Sequence, residues 1–351
     1  MAGEWKDVPR RVAAGLLAVS VVVAGAAVVR GQEAENDPWH SRGAAAETDK
    51  APWRSSAVTY RNMATAFTLD RSADLTYNPT YAMMFEVTPY WWFGDVLYVT
   101  AMFNAMREFT NSDITTERGE WELADTTLTV GGQGIVTIPW VGIDVSAALV
   151  TGFPTSKLSR ARTQYLSTML QLTLSRSFDL LSGFSVSLTG LGVRYYNEYT
   201  TSEYETPLIP GCIPSQGPCD AFLNSGLRNP AWRVGGQLAL SQDFTDFLGV
   251  SASAALVTDY LYEQESDDLR VSLEPQEGTD QRYYMVFGAE VVATLMPSLA
   301  LAVGAATESP QQKLNSEYER PFFNRYSVLY GDIRIKIDGL IDQITSGGET
   351  P

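Results

Sequence analysis

The chain has 351 residues, with 41 acidic against 25 basic side chains and a net charge of −16. That balance excludes a nucleic-acid binder, which needs a basic face to meet phosphates. A mean hydropathy near zero excludes a bundle of membrane-crossing helices, and the length suits one large domain or two small ones.

The N-terminus carries Lys6, Arg10 and Arg11, followed by the apolar, small-residue run from Val12 to Val29. Val29 and Gly31 stand at the −3 and −1 positions of a cleavage site before Gln32, so residues 1–31 read as a secretory signal peptide. An uncleaved helical anchor is the alternative, because the apolar run is just long enough to span a bilayer. Residues 32–55 are polar, with Ala and Pro and no apolar period, and read as a disordered leader.

From Ser56 onward no stretch shows a 3.6-residue apolar stripe. Period-2 segments appear instead. "WVGIDVSAALVTGF" sets Val141, Ile143, Val145, Ala147 and Leu149 against Asp144 and Ser146. "YLSTMLQLTLSRSF" sets Leu166, Leu170, Leu172 and Leu174 against Ser167, Gln171, Thr173 and Ser175. "IRIKI" sets Ile333, Ile335 and Ile337 against Arg334 and Lys336. About twelve strands are expected: 57–69, 80–93, 96–109, 120–131, 141–153, 164–178, 183–199, 231–243, 248–262, 282–295, 298–308 and 325–337.

The gaps alternate between short turns and long polar loops, which is an up-and-down meander with all turns at one end. Strands of this length are long for a globular protein, where five or six residues are usual. They suit tilted strands crossing a hydrocarbon layer. An apolar face opposite a Gly, Ser, Thr and charged face fits a sheet with lipid on one side and a polar lumen on the other. Only a closed barrel leaves no unpaired backbone in lipid.

Aromatic residues gather at strand ends. A membrane-interface girdle is expected from Tyr90, Trp91, Trp92, Phe93, Trp140, Phe184, Phe247 and Tyr283. Within "PYWWFGDVLY", Trp91 and Phe93 share the face of Met83, Phe85 and Val87 and should meet lipid; Tyr90 and Trp92 share the face of Glu86 and should point inward. Pro89 lacks a ladder donor, so a bulge or an early end to regular pairing is expected there.

This pattern over residues 56–340 resembles Gram-negative outer-membrane β-barrel proteins. "LVTGFPTSK" (149–157) also resembles a strand end of some transport-type barrels. The resemblance implies a transmembrane, antiparallel, all-β barrel with short periplasmic turns and long extracellular loops. It implies outer-membrane lipid and the barrel-assembly machinery as partners. One departure concerns the C-terminus: family members end on an aromatic strand residue, whereas here "YGDIRIKI" is followed by a tail, 341–351.

The only histidine, His40, lies in the leader, which removes Ser-His and Cys-His catalysis and any histidine metal site. Outer-membrane phospholipases and omptin-like proteases need a barrel histidine. Cys212 and Cys219, in a Pro/Gly-rich loop, suit a disulfide in an oxidising compartment. "GGQG" (131–134) lacks the lysine of a phosphate loop and reads as a turn. Glu86, Glu108, Asp144, Arg194, Arg233, Glu290, Arg334 and Lys336 are expected to face the lumen, either as a pore lining or as salt bridges filling it. The expected protein is a passive channel for small solutes without cofactor, metal or chemistry. The alternative is a non-conducting barrel whose surface loops serve assembly, adhesion or surface-polymer export.

Overall fold

A computed structural model describes residues 51–66, 80–110, 119–203, 224–263, 280–313 and 316–345. The signal and leader residues before 51, His40 and both cysteines lie outside the described residues.

The chain begins with β1 (Ala57–Thr65), β2 (Tyr81–Thr88), β3 (Tyr90–Phe93) and β4 (Leu97–Glu108). A short β5 (Trp121–Leu123) leads into β6 (Thr126–Ile138) and β7 (Ile143–Phe153). Helix α1 (Lys157–Ala161) precedes β8 (Gln164–Phe178) and β9 (Phe184–Asn197). A small hairpin, β10 (Thr201–Glu203) and β11 (Asn224–Arg228), rises from the next loop. Then follow β12 (Pro230–Asp243), β13 (Leu248–Leu261), β14 (Gln281–Met296), β15 (Leu299–Pro310), β16 (Ser327–Lys336) and helix α2 (Ile337–Thr345).

Neighbouring strands pair antiparallel in chain order, and β1 pairs with β16 from Ala57 opposite Lys336 to Thr65 opposite Val328. With β2–β3 and β5–β6 each forming one crossing, the sheet is a closed barrel of twelve strands. Both ends of the barrel wall lie at the turn end, as an even strand number requires. The final strand falls where the alternation puts it, and a helix follows it and runs into the expected tail as far as Thr345.

Away from the bulges, side chains alternate across the wall. On β4, Tyr98, Thr100, Met102, Asn104, Met106 and Glu108 are buried, while Leu97 and Phe103 are exposed. On β8, Met169, Gln171 and Thr173 are buried, and Leu170 and Leu172 stand 63% and 51% exposed. An outer wall of exposed Leu, Val and Phe on most strands would drive aggregation in water. Against acyl chains it costs nothing, while the closed ladder satisfies the backbone. The chain is an outer-membrane-type β-barrel spanning the membrane with its strands.

Two interior tyrosines explain two glycines. The Tyr98 ring lies over Gly131 on β6, and the Tyr330 ring lies over Gly304 on β15, each filling the space a Cβ would take. Close approach, not flexibility, requires glycine at these positions.

The segment around Pro89 departs less from regularity than the sequence suggests. Val87 is opposite Phe103 and Tyr90 is opposite Thr100, so the register is unchanged and no bulge forms. Pro89 still accepts from the Ala101 N–H at 3.2 Å, and the Thr100 hydroxyl donates to the same carbonyl at 2.9 Å. Only the single ladder bond that proline cannot donate is lost. Gly94, at φ +71°, begins the three-residue turn that joins Phe93 to Leu97.

"GGQG" is not a turn. It lies inside β6, where the pairing with β7 shifts between Gly132–Ala147 and Val136–Val145. The strand bulges there and runs on to Ile138, longer than the expected 120–131. The leader and tail boundaries also move. Residues 51–55 join the barrel: the Trp92 N–H donates to Pro52 O at 2.6 Å, and Arg54 Nη2 donates to Gly94 O at 2.6 Å. Helix α2 begins at Ile337, inside the expected barrel range, and Asp338 accepts from the Ser55 N–H at 3.2 Å.

Candidate functional site

The lumen has two unlike sides. On the β1, β14, β15 and β16 side it is closed by charge pairs. Asp332, with no exposed side-chain surface, accepts from Arg61 Nε at 2.5 Å and Nη2 at 2.6 Å, and from Arg334 Nη2 at 2.9 Å. Arg334 also pairs with Glu290, which accepts the Tyr330 hydroxyl at 3.0 Å. The Arg61 guanidinium lies 3.6 Å from the Tyr330 ring centroid. A second group sits toward the loop end, where Arg233 grips Asp259 with two hydrogen bonds at 2.6 and 3.0 Å. Pairing and the added hydrogen bonds offset part of the penalty these charges incur on leaving water.

On the β2 to β9 side the interior is open. A cavity of about 130 Å³ is lined by Thr88, Thr100, Thr127, Thr129 and Ser167, with Met102, Met169 and Val193 among them. The register builds this wall: Thr100, Thr129, Val150, Met169 and Val193 succeed one another across β4, β6, β7, β8 and β9. Tyr90 and Tyr98 line it close to the β3–β4 turn, and Ser156 to Gln164 line it at the loop end.

The loop-end boundary is the β7–β8 connection, folded inward and fixed at several points. The Ser156 hydroxyl caps α1 by accepting from the Ser159 N–H at 3.1 Å. Asp125 accepts from the Ser156 N–H at 3.0 Å and from the Ser159 hydroxyl. Thr155 ties to Ala124 O and to the Thr126 N–H, and Lys157 pairs with Glu120. The Arg162 carbonyl accepts from Asn197 Nδ2 at 2.6 Å and Asn229 Nδ2 at 2.9 Å. Thr163 holds φ +52°, which a β-branched residue adopts only when its surroundings insist.

The eight expected lumen residues divide. Seven face inward: Glu108, Arg233, Glu290, Arg334 and Lys336 are buried, Asp144 accepts from Thr137 at the turn end, and Glu86 alone of them lines the cavity. Arg194 is a correction. It lies between buried Val193 and Tyr195 and points outward. Its guanidinium stacks over Trp232 at 4.9 Å and Tyr262 at 5.3 Å and donates to Ala231 O at 3.0 Å. At the rim a cation can keep its head wet while its stem covers apolar surface.

The girdle needs a correction as well. Trp91 and Phe93 face outward, with Trp140, Phe247 and Tyr283 also exposed, and Phe184 packs on Phe178. Tyr90 and Trp92 point inward, where Trp92 is capped by Arg54 at 4.4 Å and packs on Tyr98 at 5.1 Å. Sequence reasoning missed Arg61, Asp259, Asp332 and Arg162. Extending the "IRIKI" alternation by one step would have found Asp332; Arg162 left no strand-pattern signal because it lies in a loop.

No protein-family model and no curated protein matches the sequence. The architecture is similar to that of solved outer-membrane proteins. Omp33 of Acinetobacter baumannii is 9% identical, with a TM-score of 0.32 over 81% of this chain and 98% of that one. LpxR from Salmonella typhimurium is 11% identical, with a TM-score of 0.35 over 80% and 99% of the two chains. The β domain of the Bordetella autotransporter BrkA is 12% identical, with a TM-score of 0.33 over 80% and 98%. The expectation of a barrel without chemistry does not stand. The similar structures include LpxR, and the barrel architecture by itself does not place this chain among non-enzymes.

Proposed function

We propose that this barrel is a passive conduit for small solutes across the outer membrane, with passage confined to the β2–β9 side. The observation that carries the reading is a cavity whose wall includes both Tyr90 and Tyr98 near the turns and Ser156, Leu158, Ser159, Arg162 and Gln164 at the loop end. Its hydroxyl lining replaces water around a polar solute, and its volume limits the solute to a few heavy atoms. The outward rings of Trp91, Phe93, Trp140, Phe184, Phe247 and Tyr283 would lie at the lipid headgroups.

Osmotic swelling of proteoliposomes in solutes of graded size tests this reading. Glycerol-sized solutes should enter faster than in protein-free vesicles, and disaccharides should be excluded. Equal rates with and without protein for every solute would overturn it.

A further inference from the structure

Arg162 stands out among the interior charges. Arg61, Arg233 and Arg334 each hold a carboxylate. The Arg162 side chain makes no ion pair and no hydrogen bond among the described residues, and it lines the cavity. Its backbone, by contrast, is fixed by two asparagine donors and by its own N–H to Leu158 O at 3.0 Å. The loop that carries it is clamped through Asp125, Thr155 and Lys157. Burial pushes its pKa below the ordinary guanidinium value, as expected of a cation left without a partner. The nearby carboxylate Asp259 is occupied by Arg233, Asp125 is occupied by Ser156 and Ser159, and Glu308 is not part of the cavity wall.

A rigid loop sets Arg162, which has no ionic or hydrogen-bonded side-chain partner among the described residues, in the cavity wall beside the hydroxyls, with Asp125 already hydrogen-bonded, and so offers a place for an anion. We infer that the cavity binds a small monocarboxylate, its carboxylate on Arg162 and its remaining polar atoms on the threonine and serine hydroxyls. The guanidinium fork matches a carboxylate in two parallel hydrogen bonds, which a lysine could not reproduce. The inference names a solute class for the proposed passage and rests on that cavity, but it does not require conduction.

Isothermal titration of the folded full-length chain in detergent, with L-lactate and its uncharged isostere lactamide, tests it. Lactate should bind at least roughly tenfold more tightly than lactamide. Arg162→Gln should remove that preference and Arg162→Lys should retain part of it. Because the Arg162 side chain makes no hydrogen bond or ion pair among the described residues, the Gln variant should keep the wild-type difference in gel migration before and after boiling. Equal binding of lactate and lactamide, or lactate binding unchanged in a folded Arg162→Gln, would overturn the inference. Lactate bound at Arg162 without any vesicle permeation would leave it standing and remove the conduit reading instead.

Discussion

The two sides of the lumen solve the same problem differently. Both are enclosed by strands with identical alternation, and both place polar groups inside. The β14–β16 and β1 side brings arginines and carboxylates together and becomes solid. The β2–β9 side presents mainly hydroxyls and apolar side chains, with Glu86, Asp125 and Arg162 spaced among them, and stays open. Arg61 and Asp332 lie 271 residues apart and meet only because β1 pairs with β16. The ion-paired side therefore supports closure of the barrel.

That contrast can be broken most forcefully at Asp332. Replacing it with alanine removes the buried carboxylate that Arg61 and Arg334 share on the lumen side. It should cost about 3–5 kcal/mol in reversible urea unfolding monitored by tryptophan fluorescence. A loss below about 1 kcal/mol would mean that the charges are solvated and that this side is not solid.

A smaller effect is expected at Gly304. An alanine there meets the Ala289 carbonyl at 2.8 Å as well as the Tyr330 ring, so Gly304→Ala should cost about 1–3 kcal/mol in the same assay. Gly190, with nothing within 4 Å of a built Cβ, is the control and should tolerate alanine with little change.

The smallest effect belongs to Arg194. Since it lies outside the lumen, Arg194→Gln should leave the ion preference of any conductance unchanged. A shifted reversal potential would return it to the pore.

Much of the barrel was legible in the sequence. Period-2 runs such as Leu166 to Phe178 and the alternation of short turns with long loops fixed strand number, order and polarity. The orientations of Trp91, Trp92 and Phe93 followed from one well-marked strand. The rest was hidden for physical reasons. The interior is itself partly apolar, with Met169, Leu191, Val193 and Tyr195 packed together, so face assignment by polarity failed on β9 and misplaced Arg194. Gly131–Gly134 reads as a turn because glycine serves both turns and bulges; only the position of Tyr98 tells them apart. Arg162 enters the lumen through a loop whose path depends on Asp125, Asn197 and Asn229, contacts that no periodicity encodes.

Single-channel recording in planar bilayers, comparing the wild-type chain with Thr129→Trp, tests the central claim most directly. Small discrete steps are expected for the wild type, and they should be lost when an indole fills the cavity in a barrel that still folds. Steps of unchanged size in Thr129→Trp, or a silent wild type, would contradict it.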